Sequence, residues 1–197
     1  MFAHEVGVAK VHEYCSYEKA KDEIGKECEE LYWKWIKHMI SDSVACMNTY
    51  VILHNVRSAH NVGSAFRTAD GAGVSKIFLT GYTPAPIDRF GRVVPEILKT
   101  SLGATKSVEW EASENIEDIF TRLKAEGVTL VAVEQTEHSI DYKTFTPNGD
   151  VAYIFGNEID GVPKDVCSAA DVVIDIPMNG VKESLNVSVT VGIILFR

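Results

Sequence analysis

Arg67 stands four residues after Gly63, so the two share one face of any helix that carries them. A glycine on that face leaves bare backbone for a close approach, and an arginine offers a planar cation suited to phosphate or carboxylate. Asn61 opens the same stretch, HNVRSAHNVGSAFRTADGAGV (54–74), where its amide can cap a helix or hold a ligand. Glu158 is fixed between two glycines in FGNEIDG (155–161), a demanding way to build a mere surface acid. Ser184 and Asn186 lie in IPMNGVKESLNVSV (176–189), at the mouth of VSVTVGII, a run so apolar that its helix is expected to be buried. That pair either caps the helix or faces a ligand or partner. The chemistry on offer is anion recognition by one cation, held among amides, a hydroxyl and a carboxylate. None of the three segments is a phosphate loop, since no GK[ST] is present and no GxGxxG follows the first strand.

The elements that must position these residues alternate. Strands are expected at 50–55, 75–80, 107–110, 128–133, 151–155 and 172–176, each short and continuously apolar, as in a parallel sheet covered on both faces. Val62, Ala65, Phe66 and Ala69 mark one helix between them. Ile116, Ile119, Phe120 and Leu123 mark another, starting near Ser113 and stopping at Gly127. Pro163 falls near the first position of a short helix after FGNEIDG. The stretch 82–92, with two prolines and a glycine, reads as a surface excursion. The class is α/β, and in such sheets ligands bind beyond the carboxyl ends of strands, where all three segments fall. Residues 1–48 differ: from Tyr17 to Ile40, Ile24, Cys28, Leu31, Trp35 and Met39 recur at helical spacing, predicting an N-terminal helical extension before a domain at 49–197.

Bulk properties narrow the classes. The 197 residues are 46% hydrophobic and 24% charged, enough for one good core. No stretch approaches the ~20 apolar residues that span a bilayer, and MFAHEVGVAK lacks the pattern of a secretory signal. Cys15, Cys28, Cys46 and Cys167 show no CxxC spacing, so reduced thiols in a cytoplasmic protein, without a metal, are expected. The net charge of −9 argues against nucleic acid until its distribution is seen. Residues 54–108 carry seven Lys/Arg against three acids, whereas 109–197 carry six against sixteen. The first tract could meet a few phosphates.

Taken in order and register, NVGSAFRTA (61–69), FGNEIDG and IPMNG…SLNVSV resemble the SpoU (TrmH-like) RNA 2′-O-ribose methyltransferases of the SPOUT class. The resemblance covers about residues 50–197. It implies a parallel sheet with a C-terminal trefoil knot, which periodicity does not reveal. It further implies S-adenosylmethionine as cofactor, tRNA or rRNA as substrate, and a homodimer with both subunits near each active site. On matching positions, Arg67 is implied to contact the target ribose-phosphate and assist removal of the 2′-hydroxyl proton. Asn61, Glu158, Ser184 and Asn186 are implied to position Arg67 and the substrate. Gly156, Ile176 and Leu185 are implied to contact the adenine and ribose of the cofactor, and Glu134 to line its methionine side. A guanidinium holds its proton too tightly to serve as a base, so stabilising the forming alkoxide, or working through a neighbouring phosphate, is the sounder role for Arg67. Relatives that bind large RNAs often carry a further RNA-binding domain. Here residues 1–48 are acidic overall, so RNA capture is expected to lean on 54–108, on the dimer, or on a further partner. The alternative is a non-catalytic RNA- or protein-binding member of the same fold.

Overall fold

The computed structural model describes residues 47–197, and Met47–Arg197 form one compact unit. The helix expected over Tyr17 to Ile40, like all of residues 1–46, lies outside the described residues.

Seven parallel strands form one sheet. In chain order they are β1 (Thr49–His54), β2 (Lys76–Thr80), β3 (Glu109–Ser113), β4 (Thr129–Val133), β5 (Ile140–Asp141), β6 (Val151–Phe155) and β7 (Val172–Asp175). Their spatial order is β3-β2-β1-β6-β4-β7-β5. β6 is inserted between β1 and β4, with Val51 opposite Tyr153 on one side and Val131 opposite Tyr153 on the other. Every residue of β6 is buried, which explains why VAYIF has no polar alternation.

The pleat sends alternate side chains to two cores. Val51, Leu53, Tyr153 and Phe155 face one, with Val62, Phe66, Val191 and Ile194. Ile52, Ile154, Leu130 and Ala132 face the other, with Ile119, Phe120, Leu123 and Val166. The helices are α1 (Ala59–Ala72), α2 (Pro95–Ser101), α3 (Ala104–Ser107), α4 (Ile116–Ala125), α5 (Lys164–Ala169) and α6 (Val187–Leu195). α1 and α6 therefore cover one face, and α4 and α5 the other.

Several boundaries move relative to the sequence expectation. The third strand begins at Glu109, because Ala104–Ser107 closes a short helical turn just before it. Ser113 ends that strand, and Asn115, whose side chain accepts the Glu117 N–H, is the true cap of α4. α2 was not anticipated at all.

That unforeseen helix changes the meaning of Gly63. A Cβ on Gly63 would lie 2.7 Å from the Ile97 carbonyl oxygen and on top of the Thr100 hydroxyl. The glycine lets α1 and α2 touch; it does not bare backbone for a ligand. Gly63→Ala should gain roughly 1 kcal/mol of helix propensity and lose more to overpacking against α2 backbone, netting about 1–2 kcal/mol of destabilisation. A thermal melt should fall by several degrees, and an unchanged or raised midpoint would show that α2 can shift freely.

Candidate functional site

Three segments converge beyond the carboxyl ends of β1, β6 and β7. The β1–α1 loop ends at Ser58, whose side chain caps α1 by accepting the Asn61 N–H. Capping is thus done by Ser58, and the Asn61 side chain is free for other work. Its Nδ2 donates to Glu158 Oε1 at 2.9 Å, and its Oδ1 accepts from Asn186 Nδ2 at 3.2 Å. Asn186 caps α6 through Oδ1, which accepts the Ser188 N–H. One amide–amide–carboxylate chain so joins all three segments.

Glu158 is the anchor of that chain. Its two oxygens also accept the N–H groups of Arg57 at 2.9 Å and Ser58 at 3.0 Å. Partial burial pushes its carboxyl group up, but the hydrogen bonds from Arg57, Asn61 and Ser58 outweigh this and hold it below the ordinary carboxylate range. A carboxylate so held stays ionised at neutral pH and is a poor proton acceptor there. Its role is positional.

The loop that carries Glu158 is closed on itself. Asn157 and Gly161 exchange backbone hydrogen bonds, both 3.0 Å. A Cβ on Gly156 would meet the Gly161 carbonyl and the Val162 nitrogen at 2.2–2.3 Å, and Gly161 has φ 67°. Both glycines are therefore demanded by the turn itself. Glu134, at the end of β4, secures it from the side by accepting the Val162 N–H at 2.7 Å.

Beside this loop lies an open cleft of about 210 Å³. Glu134, Gly156, Ile176 and Leu185 all line it, as do Glu158 and Ser184. Phe155, Ile176, Met178 and Leu185 give it an apolar lining. Five carboxylates surround it, from Glu134, Glu158, Asp160, Asp175 and Glu183, and among the described residues no Lys or Arg does. Such a cleft disfavours phosphate-rich ligands and favours one that carries positive charge beside an apolar group. Among the described residues, no group of three His, Cys, Asp or Glu side chains is placed to hold a metal ion.

The structure brings Asn61, Glu158 and Asn186 into one network but leaves two candidates outside it. Ser184 is exposed on the cleft rim and has no hydrogen bond among the described residues. Arg67 is exposed on α1 and has neither hydrogen bond nor ion pair among them.

A second polar layer was missed from sequence. Asn157 Nδ2 donates to the Asn55 carbonyl at 3.0 Å and to the Tyr82 hydroxyl at 2.7 Å, while its Oδ1 accepts the N–H of Ile159. Thr83 Oγ1 accepts the Val56 N–H, pinning the loop after β2 to the loop after β1. Asn55, at φ 58°, accepts the Tyr82 N–H through Oδ1 and so turns Nδ2 toward His54 Nε2. The His54 Nδ1 then keeps the ring proton and donates to Thr80 Oγ1 at 2.9 Å. The one available signal was Asn157 itself, a turn-forming amide between two glycines.

His54 is only 8% exposed, and burial lowers its pKa against the opposing pull of Asp165 and Glu117. The neutral ring is favoured in the folded state, so the unfolded chain binds the extra proton. Stability should be full above about pH 6.5 and fall as pH drops below it, toward the lowered folded value. Melting temperatures across pH 5–8 should show that slope in the wild type and lose it in His54→Asn.

The terminal helix corrects another expectation. Val191 and Ile194 are buried against α1, but Val189 is 49% exposed and Phe196, just past the end, 64%. A helix that is apolar all round cannot bury every face on one sheet.

Comparison with known proteins agrees with the fold. The model of the SpoU rRNA Methylase family matches residues 48–196. The 23S rRNA (guanosine-2′-O-)-methyltransferase RlmB of Neisseria meningitidis is 30% identical over 74% of this chain and 55% of its own length. The tRNA (guanosine(18)-2′-O)-methyltransferase of Thermus thermophilus is 34% identical over 75% of this chain and 72% of its own. This chain thus spans about half the length of the first relative and under three quarters of the second. The AdoMet-bound rRNA methyltransferase of Sinorhizobium meliloti superposes with a TM-score of 0.69 at 34% identity, over 76% of this chain and 54% of that one. With a family model that covers the whole described sheet and relatives of this identity, the chain belongs to the SpoU rRNA methylase family.

Proposed function

We propose that the chain transfers a methyl group from S-adenosylmethionine to a ribose 2′-hydroxyl of tRNA or rRNA. The observation that carries this reading is the Glu158–Asn61–Asn186 chain, which joins three distant segments beside a carboxylate-lined, partly apolar cleft. The cofactor suits that cleft, since its adenine matches the apolar lining from Ile176 and Leu185, and its sulfonium and ammonium match the carboxylates. When bound, it supplies an electrophilic methyl group and needs no metal. The remaining work belongs to the protein. Leu185, Ile176 and the Gly156 backbone hold the adenosine, and Glu134 flanks the cationic end. Asn61 and Asn186 fix the entrance to α1 and α6, Ser184 offers a hydroxyl at the rim, and Arg67 meets the ribose-phosphate and steadies the oxygen that loses its proton.

Residues 49–197 form the catalytic domain in this reading. The cytoplasm is the proposed place of action. The inserted position of β6 is compatible with the C-terminal trefoil knot expected of the class. A homodimer is supported by the uncovered apolar face of α6. Val189→Asp should place a charge on that face and convert the dimer to monomer in sedimentation experiments, with methyl transfer lost alongside. A wild type that sediments as a monomer would remove the dimer from the proposal.

The test of the activity is transfer of tritiated methyl from labelled cofactor to bulk tRNA and rRNA, with a product linkage that resists alkali because its 2′-oxygen is blocked. Cofactor binding without transfer to either RNA would instead favour a non-catalytic member.

A further inference from the structure

We propose that the turn at residues 88–92 is a stacking platform for an unpaired base of the RNA, an inference that rests on RNA being the substrate. The turn is rigid for reasons unrelated to Phe90. Asp88 Oδ1 accepts the N–H groups of Phe90 at 2.8 Å and Arg92 at 2.9 Å, and Oδ2 takes the Arg92 guanidinium at 2.8 Å. Backbone bonds from Asp88 N to Arg92 O and from Gly91 N to Asp88 O close it, and Gly91 at φ 77° completes the reversal. An Ile87–Val93 bridge seals the base of the turn.

On this scaffold the Phe90 ring is 66% exposed, although nothing in the fold requires an apolar group there. The guanidinium carbons of Arg89 and Arg92 lie 4.8 and 5.0 Å from its centroid. The two guanidiniums lie over the ring, so ring and guanidinium planes form one stack whose exposed side can take a splayed-out base. Arg89, which has no ion pair among the described residues, is the cation left to meet a flanking phosphate. A fixed turn lowers the ordering cost of binding.

The position fits that role. The loop leaves β2 at Tyr82 and Thr83, which are bonded to Asn157 and Val56 at the candidate site. It returns through α2, which packs on α1 at Gly63, one helical turn before Arg67. The cleft is ringed by carboxylates that repel a phosphate backbone, so RNA must be gripped from outside it. The tract 54–108, with its basic excess, is where this acidic chain can do so.

The test uses the full chain and a short, fluorescein-labelled single-stranded RNA that contains one 2-aminopurine, together with the same strand annealed to its complement. Phe90→Ala should weaken single-strand binding about five- to tenfold, within the range for loss of one stacked base, and should reduce the quenching of 2-aminopurine. Phe90→Trp should retain both signals, and duplex affinity should be the same for all three proteins. An unchanged single-strand affinity in Phe90→Ala overturns the proposal, as does an equal loss for strand and duplex. A Phe90→Ala protein whose sedimenting mass falls would assign the ring to a protein interface and also overturn it. Cofactor titration and methyl transfer separate this from the parent reading. Wild type that binds cofactor and methylates RNA, with strand affinity independent of Phe90, sinks the platform alone. Phe90-dependent strand binding without cofactor binding or transfer sinks the methyl-transfer reading alone.

Discussion

Arg67→Ala is expected to abolish methyl transfer, by at least 10²–10³-fold, while leaving fold and cofactor affinity close to wild type. The side chain is exposed and makes no hydrogen bond or ion pair among the described residues, so its removal strands no partner and costs little stability. Arg67 does not line the cleft, so cofactor binding has nothing to lose directly. What disappears is the single cation on α1 proposed to meet the ribose-phosphate. Arg67→Lys restores charge without the planar fork and should recover only part of the rate. The measurements are single-turnover transfer for the rate and calorimetry for cofactor affinity. Transfer near wild-type speed in Arg67→Ala would remove this residue from the mechanism. A matching loss of cofactor affinity would relocate it to the cofactor site.

The contrast between Arg67 and Gly63 shows what a sequence can and cannot state about a site. Four-residue spacing puts the two residues one turn apart on α1, but spacing says nothing about what packs there, and Gly63 is buried while Arg67 is exposed. α2, a seven-residue helix headed by Pro95, is too short for periodicity to register. Its contact with Gly63 was therefore invisible. The sheet was legible for the opposite reason: VIL of β1, IFL of β2, LVAV of β4 and VAYIF of β6 are buried on both faces and show it as unbroken apolar runs. The two-residue β5 left no such trace. At the site, glycines flanking Glu158 flagged the carboxylate, because a tight turn must be encoded locally. Asn157 meeting Tyr82, 75 residues away, is a purely tertiary event and had no local code. The apolar character of α6 was read correctly, but whether its outer face meets the sheet or another chain is decided by assembly.

Glu158→Gln is expected to impair stability and catalysis together, with a pH signature that identifies the cause. The wild-type carboxylate accepts the N–H groups of Arg57 and Ser58 and the Asn61 amide, and Gln would turn an NH₂ group toward one of these donors. Losing a charged acceptor and opposing two donors should cost about 1.5–3 kcal/mol at neutral pH. Asn61 would then lose its anchor and Asn186 its partner's orientation, so the entrances to α1 and α6 would shift. Displacement of order 1 Å at that junction is enough to lower transfer by about 10²-fold. The pH dependence follows from the lowered carboxyl pKa. Wild-type stabilisation by this group is complete above the unfolded value near 4.5 and is lost as pH falls through the lower folded value. The stability gap between wild type and Glu158→Gln should therefore stay constant from neutrality to about pH 5 and narrow below it. Urea titrations at a series of pH values would show this directly. A gap that persists unchanged into acid would mean that the carboxylate charge is not what clamps the three segments together.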